Sequence, residues 1–128
     1  MTSNNRHLMN WYKYCNHHFF YHRLPRQIVL AVAKNVIGNK GRKCLGKSML
    51  VSAKRRVKGH WTAVKTIPAI ILKQALYNFD GRLCKLVFIH ELIHLDLYVR
   101  GHANANHGPM FDKEWRRLLK YKEIRDLL

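Results

Sequence analysis

RLCKLVFIHELIHLDLYV, residues 82–99, decides how the rest of the chain is organised. It has no Gly or Pro, and Leu83, Leu86, Val87, Phe88, Ile89, Leu92, Ile93, Leu95 and Leu97 spread apolar side chains nearly all round a helical turn. A helix of that kind is buried on most of its sides, so the remaining elements must pack around it. His90, Glu91 and His94 stand inside this apolar run. Burying them unpaired would be costly, and a bound metal would remove that cost.

His90-Glu91-Leu92-Ile93-His94 is an HExxH sequence, and the spacing has a mechanical reason. Histidines at i and i+4 lie on one helix face, where both imidazoles can reach one Zn²⁺. The intervening glutamate is not needed as a ligand. Beside the metal it can take a proton from water and return it to a leaving amine, as Glu91 would here. Two histidines leave the coordination incomplete. An extended HExxHxxGxxH motif would need Gly at position 97 and His at 100, and Leu97 and Arg100 exclude it. His102, His107 and Glu114 remain as third ligands. His107 is favoured because it precedes Gly108-Pro109 and a helix start held by Phe111 and Trp115. His102, among Ala, Asn and Gly, reads as a solvent-facing loop histidine. Glu114 reads as a surface or supporting carboxylate and is the strongest rival.

Downstream, Arg100-Gly101 ends the central helix, and a polar loop leads to a final helix over 110–120 with Phe111, Trp115, Leu118 and Leu119 on one face. Asn78 or Asp80 caps the central helix at its start. Upstream, Leu8, Trp11, Tyr12, Cys15 and Phe19 recur at helical steps over residues 4–20, and Leu24-Pro25 closes that helix. Residues 27–34 and 47–54 read as strands, with a flexible loop or hairpin over 35–46 between them. Arg55, Arg56, Lys58 and Gly59 read as a basic turn. Residues 60–72 supply one or two further strands, with Pro68 as a break or an edge. These elements predict one α+β domain over 1–128: an N-terminal helix, a small antiparallel or mixed sheet of three or four strands, the buried HExxH helix and a C-terminal helix.

The cysteines, Cys15, Cys44 and Cys84, are odd in number and form no CxxC pair, which argues against a disulfide framework or a cysteine-built zinc ribbon. The apolar runs are too short to cross a bilayer, and the polar first residues lack the core of a secretory signal, so an intracellular protein is expected; a monomer is expected as well. The charge is uneven. Fifteen of the 24 Lys and Arg precede Asp80, before which no acid occurs; all seven Asp and Glu follow, among nine basic residues. Such asymmetry predicts a polyanionic partner, nucleic acid being the commonest. Candidate contacts are Lys40, Arg42, Lys43 and Lys47 in one loop and Lys54, Arg55, Arg56 and Lys58 in another, with Trp61 and Tyr21 available to stack on exposed bases.

HELIH followed by a loop and then HGPMF resembles the SprT-like, Spartan-type zinc metalloproteases, which pair HExxH with a later His-Gly at the next helix start. The likeness extends loosely over residues 4–120, but only the site segment is specific. It implies a zincin-like fold holding one Zn²⁺ on His90, His94 and His107, with Glu91 as general base and His102 a bystander. It also implies cleavage of proteins crosslinked or tightly bound to DNA, a repair activity in which DNA assists. Many relatives carry a C-terminal zinc ribbon that helps hold DNA; with no CxxC here, any DNA contact would fall to the protease domain. The oxyanion of peptide hydrolysis needs a donor, for which Tyr98, Arg117 and Tyr121 are candidates. Two rivals differ in class. One is a non-catalytic nucleic-acid-binding protein whose structural zinc is closed by His102 or Glu114 as a fourth ligand. The other is a zinc hydrolase of a different polyanion-associated substrate, such as a cell-wall peptide.

Overall fold

Asn5 starts the first helix, α1 (Arg6–Phe19): its side chain accepts a hydrogen bond from the Leu8 N–H at 3.1 Å, a cap worth about 1 kcal/mol. Its own N–H donates to Leu30 O at 3.0 Å, which ties the helix to the first strand. At the other end, Asn16 brackets Leu24, accepting from its N–H and donating to its carbonyl, and so holds the turn that precedes Pro25. The computed structural model describes residues 5–38, 41–79, 81–102 and 107–128, and its architecture is α+β.

Three strands form one mixed sheet in the order β1-β3-β2. β1 (Val29–Ala33) runs parallel to β3 (His60–Lys73), from Val29↔Ala69 to Ala33↔Lys73. β2 (Gly46–Val57) runs antiparallel to β3 from Gly46↔Leu72 to Val57↔His60, with a register shift after Ala53. β3 is thus one continuous strand. Pro68 sits one residue before β1 pairing begins, where that side of β3 is still an edge and a missing N–H costs little. The expected basic turn is corrected: Arg55 and Arg56 belong to β2, paired with Thr62 and Trp61, and only Lys58 and Gly59 turn the chain.

A six-residue helix, α2 (Gln74–Phe79), follows β3 directly, so Asn78 lies inside a helix and does not cap the next one; Asp80 is outside the described residues. The central helix, α3 (Gly81–Val99), buries Phe88, Ile89, Leu92 and Ile93 completely, each contributing about 1.5–3 kcal/mol by leaving water. It ends in a Schellman motif: His102 N–H donates to Leu97 O at 2.8 Å and Gly101 N–H to Tyr98 O at 3.0 Å. Gly101 makes this possible, at φ 86°. α4 (Pro109–Leu118) begins with proline in its first turn, and a single further turn, α5 (Lys122–Arg125), places Ile124 in the core.

The sheet comes closest to α3 at Gly46. A Cβ on Gly46 would stand 2.8 Å from Val87 Cγ1 and 3.6 Å from Glu91 Cγ. Only glycine therefore lets the start of β2 lie flat against the HExxH turn of α3.

Candidate metal centre

His90 and His94 project from one face of α3, one turn apart, and His107 arrives from the segment before α4. Their Nε2 atoms lie 3.2 Å (His90–His94), 3.0 Å (His94–His107) and 2.9 Å (His90–His107) apart. The three histidines are close enough to hold one metal ion. The arrangement suits a cation better than a hydrogen-bonded trio. An imidazole N–H lies in the ring plane and points straight out from the nitrogen, so protons on all three converging Nε2 atoms would collide at the centre. A four-coordinate ion about 2.0–2.1 Å from each nitrogen would set the nitrogens about 3.3 Å apart, near the spacing found. Burial first, then His90 and His107, pushes the His94 imidazole down to about 4. His90 is lowered by burial and by His107. Both rings are therefore neutral at neutral pH, the form that ligates.

Phe111, the third residue of α4, packs its ring against all three imidazoles, with centroids 4.8 Å from His90, 4.8 Å from His94 and 5.0 Å from His107. It links the two α3 histidines to His107 through one buried ring.

Glu91 is buried beside the cluster, and burial pushes its carboxyl up to about 7, against a backbone hydrogen bond from Ser48 of β2. Glu91, the three histidines, Tyr98, His102 and the Gly46–Leu50 stretch of β2 line one cleft of about 810 Å³. Of the three candidate oxyanion donors, Tyr98 alone lines it. Arg117 is engaged with Glu114 and lies over the rings of Phe20 and Tyr21, and Tyr121 packs on Phe19.

Neither rival ligand joins the cluster. His102 lines the cleft outside the histidine cluster, its backbone N–H spent on the helix end. Glu114 is buried and doubly paired, to Arg100 at 2.8 Å and to Arg117 at 2.7 Å. Arg100 also meets Asp96 at 2.9 Å, and Asp96, fully buried, takes Arg23 at 3.1 Å. Burial raises the Asp96 carboxyl above its ordinary value despite Arg100 and Arg23. For Glu114 burial works in the same direction, but the Arg117 and Arg100 pairs outweigh it and hold the carboxyl low.

Sequence reasoning does not find this chain of charges, yet its role is plain: it joins the last turn of α3 to the middle of α4, across the segment that carries His107. A signal is present in Asp96, an acid within the most apolar helix, with Arg100 one turn later.

The predicted basic contacts fall in two places. Arg42 and Lys43 are exposed in the segment before β2, where Ile37 bridges to Lys43; Lys47 Nζ is tied back to Ile37 O at 3.0 Å; Lys40 lies outside the described residues. Lys54, Arg55, Arg56 and Lys58 are exposed along the end of β2 and its turn, and Trp61 is 68% exposed opposite Arg56. Tyr21 is exposed but held between Arg23 and Arg117, at 5.3 and 5.2 Å. None of the described helices is long and apolar enough to cross a membrane. Compared with protein-family models, with curated proteins and with solved structures, the chain matches none of them.

Proposed function

We propose that the protein is a zinc-dependent endopeptidase that cleaves proteins bound or crosslinked to DNA, with nucleic acid held by its basic N-terminal portion. The observation that carries this reading is the convergence of His90, His94 and His107 on one point beside a buried glutamate, in an open cleft. A structural zinc is normally closed by four protein ligands, whereas a catalytic one keeps a position open. Among the described residues no fourth ligand joins the cluster, and Glu114 is drawn away by two arginines. That favours catalysis over the purely structural alternative.

When bound, zinc supplies Lewis acidity, lowering the pKa of water to about 7 and polarising a peptide carbonyl. The chain's own residues do the rest. Glu91, buried beside the histidines, takes the proton from water and returns it to the leaving amine. Tyr98, which lines the cleft, is the donor assigned to the oxyanion.

β2 is an edge strand of the sheet, and its Gly46–Leu50 stretch borders the cleft. An extended substrate segment pairing with that edge would be carried past the histidines, main chain to main chain. Leu45 and Leu50, both exposed there, would favour apolar side chains in the substrate. The uneven charge is what supports DNA as the setting. The test is incubation of the zinc-loaded chain with a DNA-binding protein, with and without single-stranded DNA. Cleavage by the native chain and none by Glu91→Gln is the expected result; equal cleavage by both would refute the assignment.

A further inference from the structure

The β2–β3 ribbon is longer than the sheet it belongs to. β1 accompanies β3 only over Ala69–Lys73, so from Pro68 outward the two strands continue as an arm without a third strand. The arm closes on Lys58 (φ 51°) and Gly59 (φ 81°), a two-residue turn with both residues left-handed, which matches the twist of a tight hairpin. Every residue from Lys54 to Thr62 is exposed.

The pleat distributes the arm's charge in a particular way. Side chains alternate between faces along a strand, so Lys54 and Arg56 share one face with Trp61, the cross-strand partner of Arg56, while Arg55 points to the other. Lys58 stands at the tip. No acid occurs between Gly46 and Lys73. None of these four cations pairs with an acid among the described residues.

A flat anionic partner can reach only one face of such a ribbon and would leave Arg55 or the Lys54–Arg56 pair unused. A partner with negative charge on two opposed walls uses both. The grooves of duplex DNA are built that way, and the major groove is wide enough for a two-stranded ribbon. The corresponding groove of duplex RNA is too narrow.

We propose that the β2–β3 arm enters a groove of double-stranded DNA, with Arg55 on one phosphate backbone, Lys54 and Arg56 on the other, and the Trp61 ring against the bases. This deepens the reading that the basic N-terminal portion meets nucleic acid, and rests on it.

The experiment is equilibrium binding of the full zinc-loaded chain to a short labelled DNA duplex, to the matching single strand and to vesicles rich in anionic lipid, each at several salt concentrations. The duplex should bind tightest. Arg55→Ala and Arg56→Ala should each weaken duplex binding about fivefold and flatten the salt dependence by about one unit of slope, and the double variant should multiply the losses. Trp61 fluorescence should become shielded from a soluble quencher in the duplex complex. Loss on only one of the two substitutions would overturn groove entry in favour of a one-faced platform. Tighter binding to the single strand or to vesicles would overturn it too. Duplex binding unchanged in both variants would remove the arm and leave the nucleic-acid reading standing; a native chain that binds no DNA at low salt would remove both.

Discussion

The cleft side of the molecule and the β2–β3 arm treat charge in opposite ways. Around α3 and α4 the buried acids Asp96 and Glu114 are met by arginines, and the three imidazoles face one another across about 3 Å. Along the arm, four cations stand in water with no acid among the described residues opposite them. Burial explains the difference. An ion inside the fold must be paired or neutral, so its position is dictated by its partners. An ion on an exposed ribbon costs nothing to leave alone, so its position reports only what the surface is meant to meet. Substitutions should therefore cost steeply at one end and almost nothing, in stability, at the other.

The largest effect should come at Glu91. Glu91→Gln keeps the shape and loses the base, and peptide cleavage should fall by about 10²–10⁴-fold while metal content and melting temperature stay close to native. Residual activity near native would assign the base elsewhere. His107→Ala comes next: metal affinity, measured by competition with a chelator, should drop by more than about 100-fold. His102→Ala should leave it unchanged. The reverse order would move the third ligand.

The buried charges offer a sharper probe of the contrast. Asp96→Ala strands Arg23, which is partly exposed, and leaves Arg100 with Glu114 alone, and should cost about 2–3 kcal/mol in denaturant unfolding. It should also loosen the segment bearing His107 and weaken metal binding by about tenfold, as loss of an outer partner does.

Glu114 adds a pH signature. Its folded carboxyl is held below the ordinary value, so its stabilising contribution is present at neutral pH and lost as pH falls through that lowered value. Glu114→Gln should be less stable at neutral pH and show a flatter acid limb. An unchanged limb would mean the arginine pairs contribute nothing net.

The smallest effect belongs to the arm. Arg55→Ala with Arg56→Ala should shift unfolding by no more than about 0.5 kcal/mol. A larger loss would show that the arm packs on something and is not a free surface.

Legibility in the sequence divides along the same line. The buried helix and the HExxH pair are legible because an unbroken apolar run and an i, i+4 spacing are local signals. The closeness of His107 to that pair is an inference from where Pro109 and Phe111 start a helix, and the structure does bring the three rings together. The arm is not legible at Arg55 and Arg56, which read as a turn and form a strand. With no core on either face, nothing imposes the apolar–polar alternation that marks a strand. α2 and α5 escape notice because six and four residues are too few to show a helical period. The Asp96 pairing with Arg23 spans 73 positions, and no local pattern could announce it.

The claim on which the rest depends is that the three histidines hold a metal. Metal analysis of the purified chain at neutral pH, beside His107→Ala prepared identically, tests it most directly. The native chain should carry about one zinc ion per molecule and the variant far less. A native chain that holds no divalent metal, or a variant that holds as much as the native chain, would contradict the account.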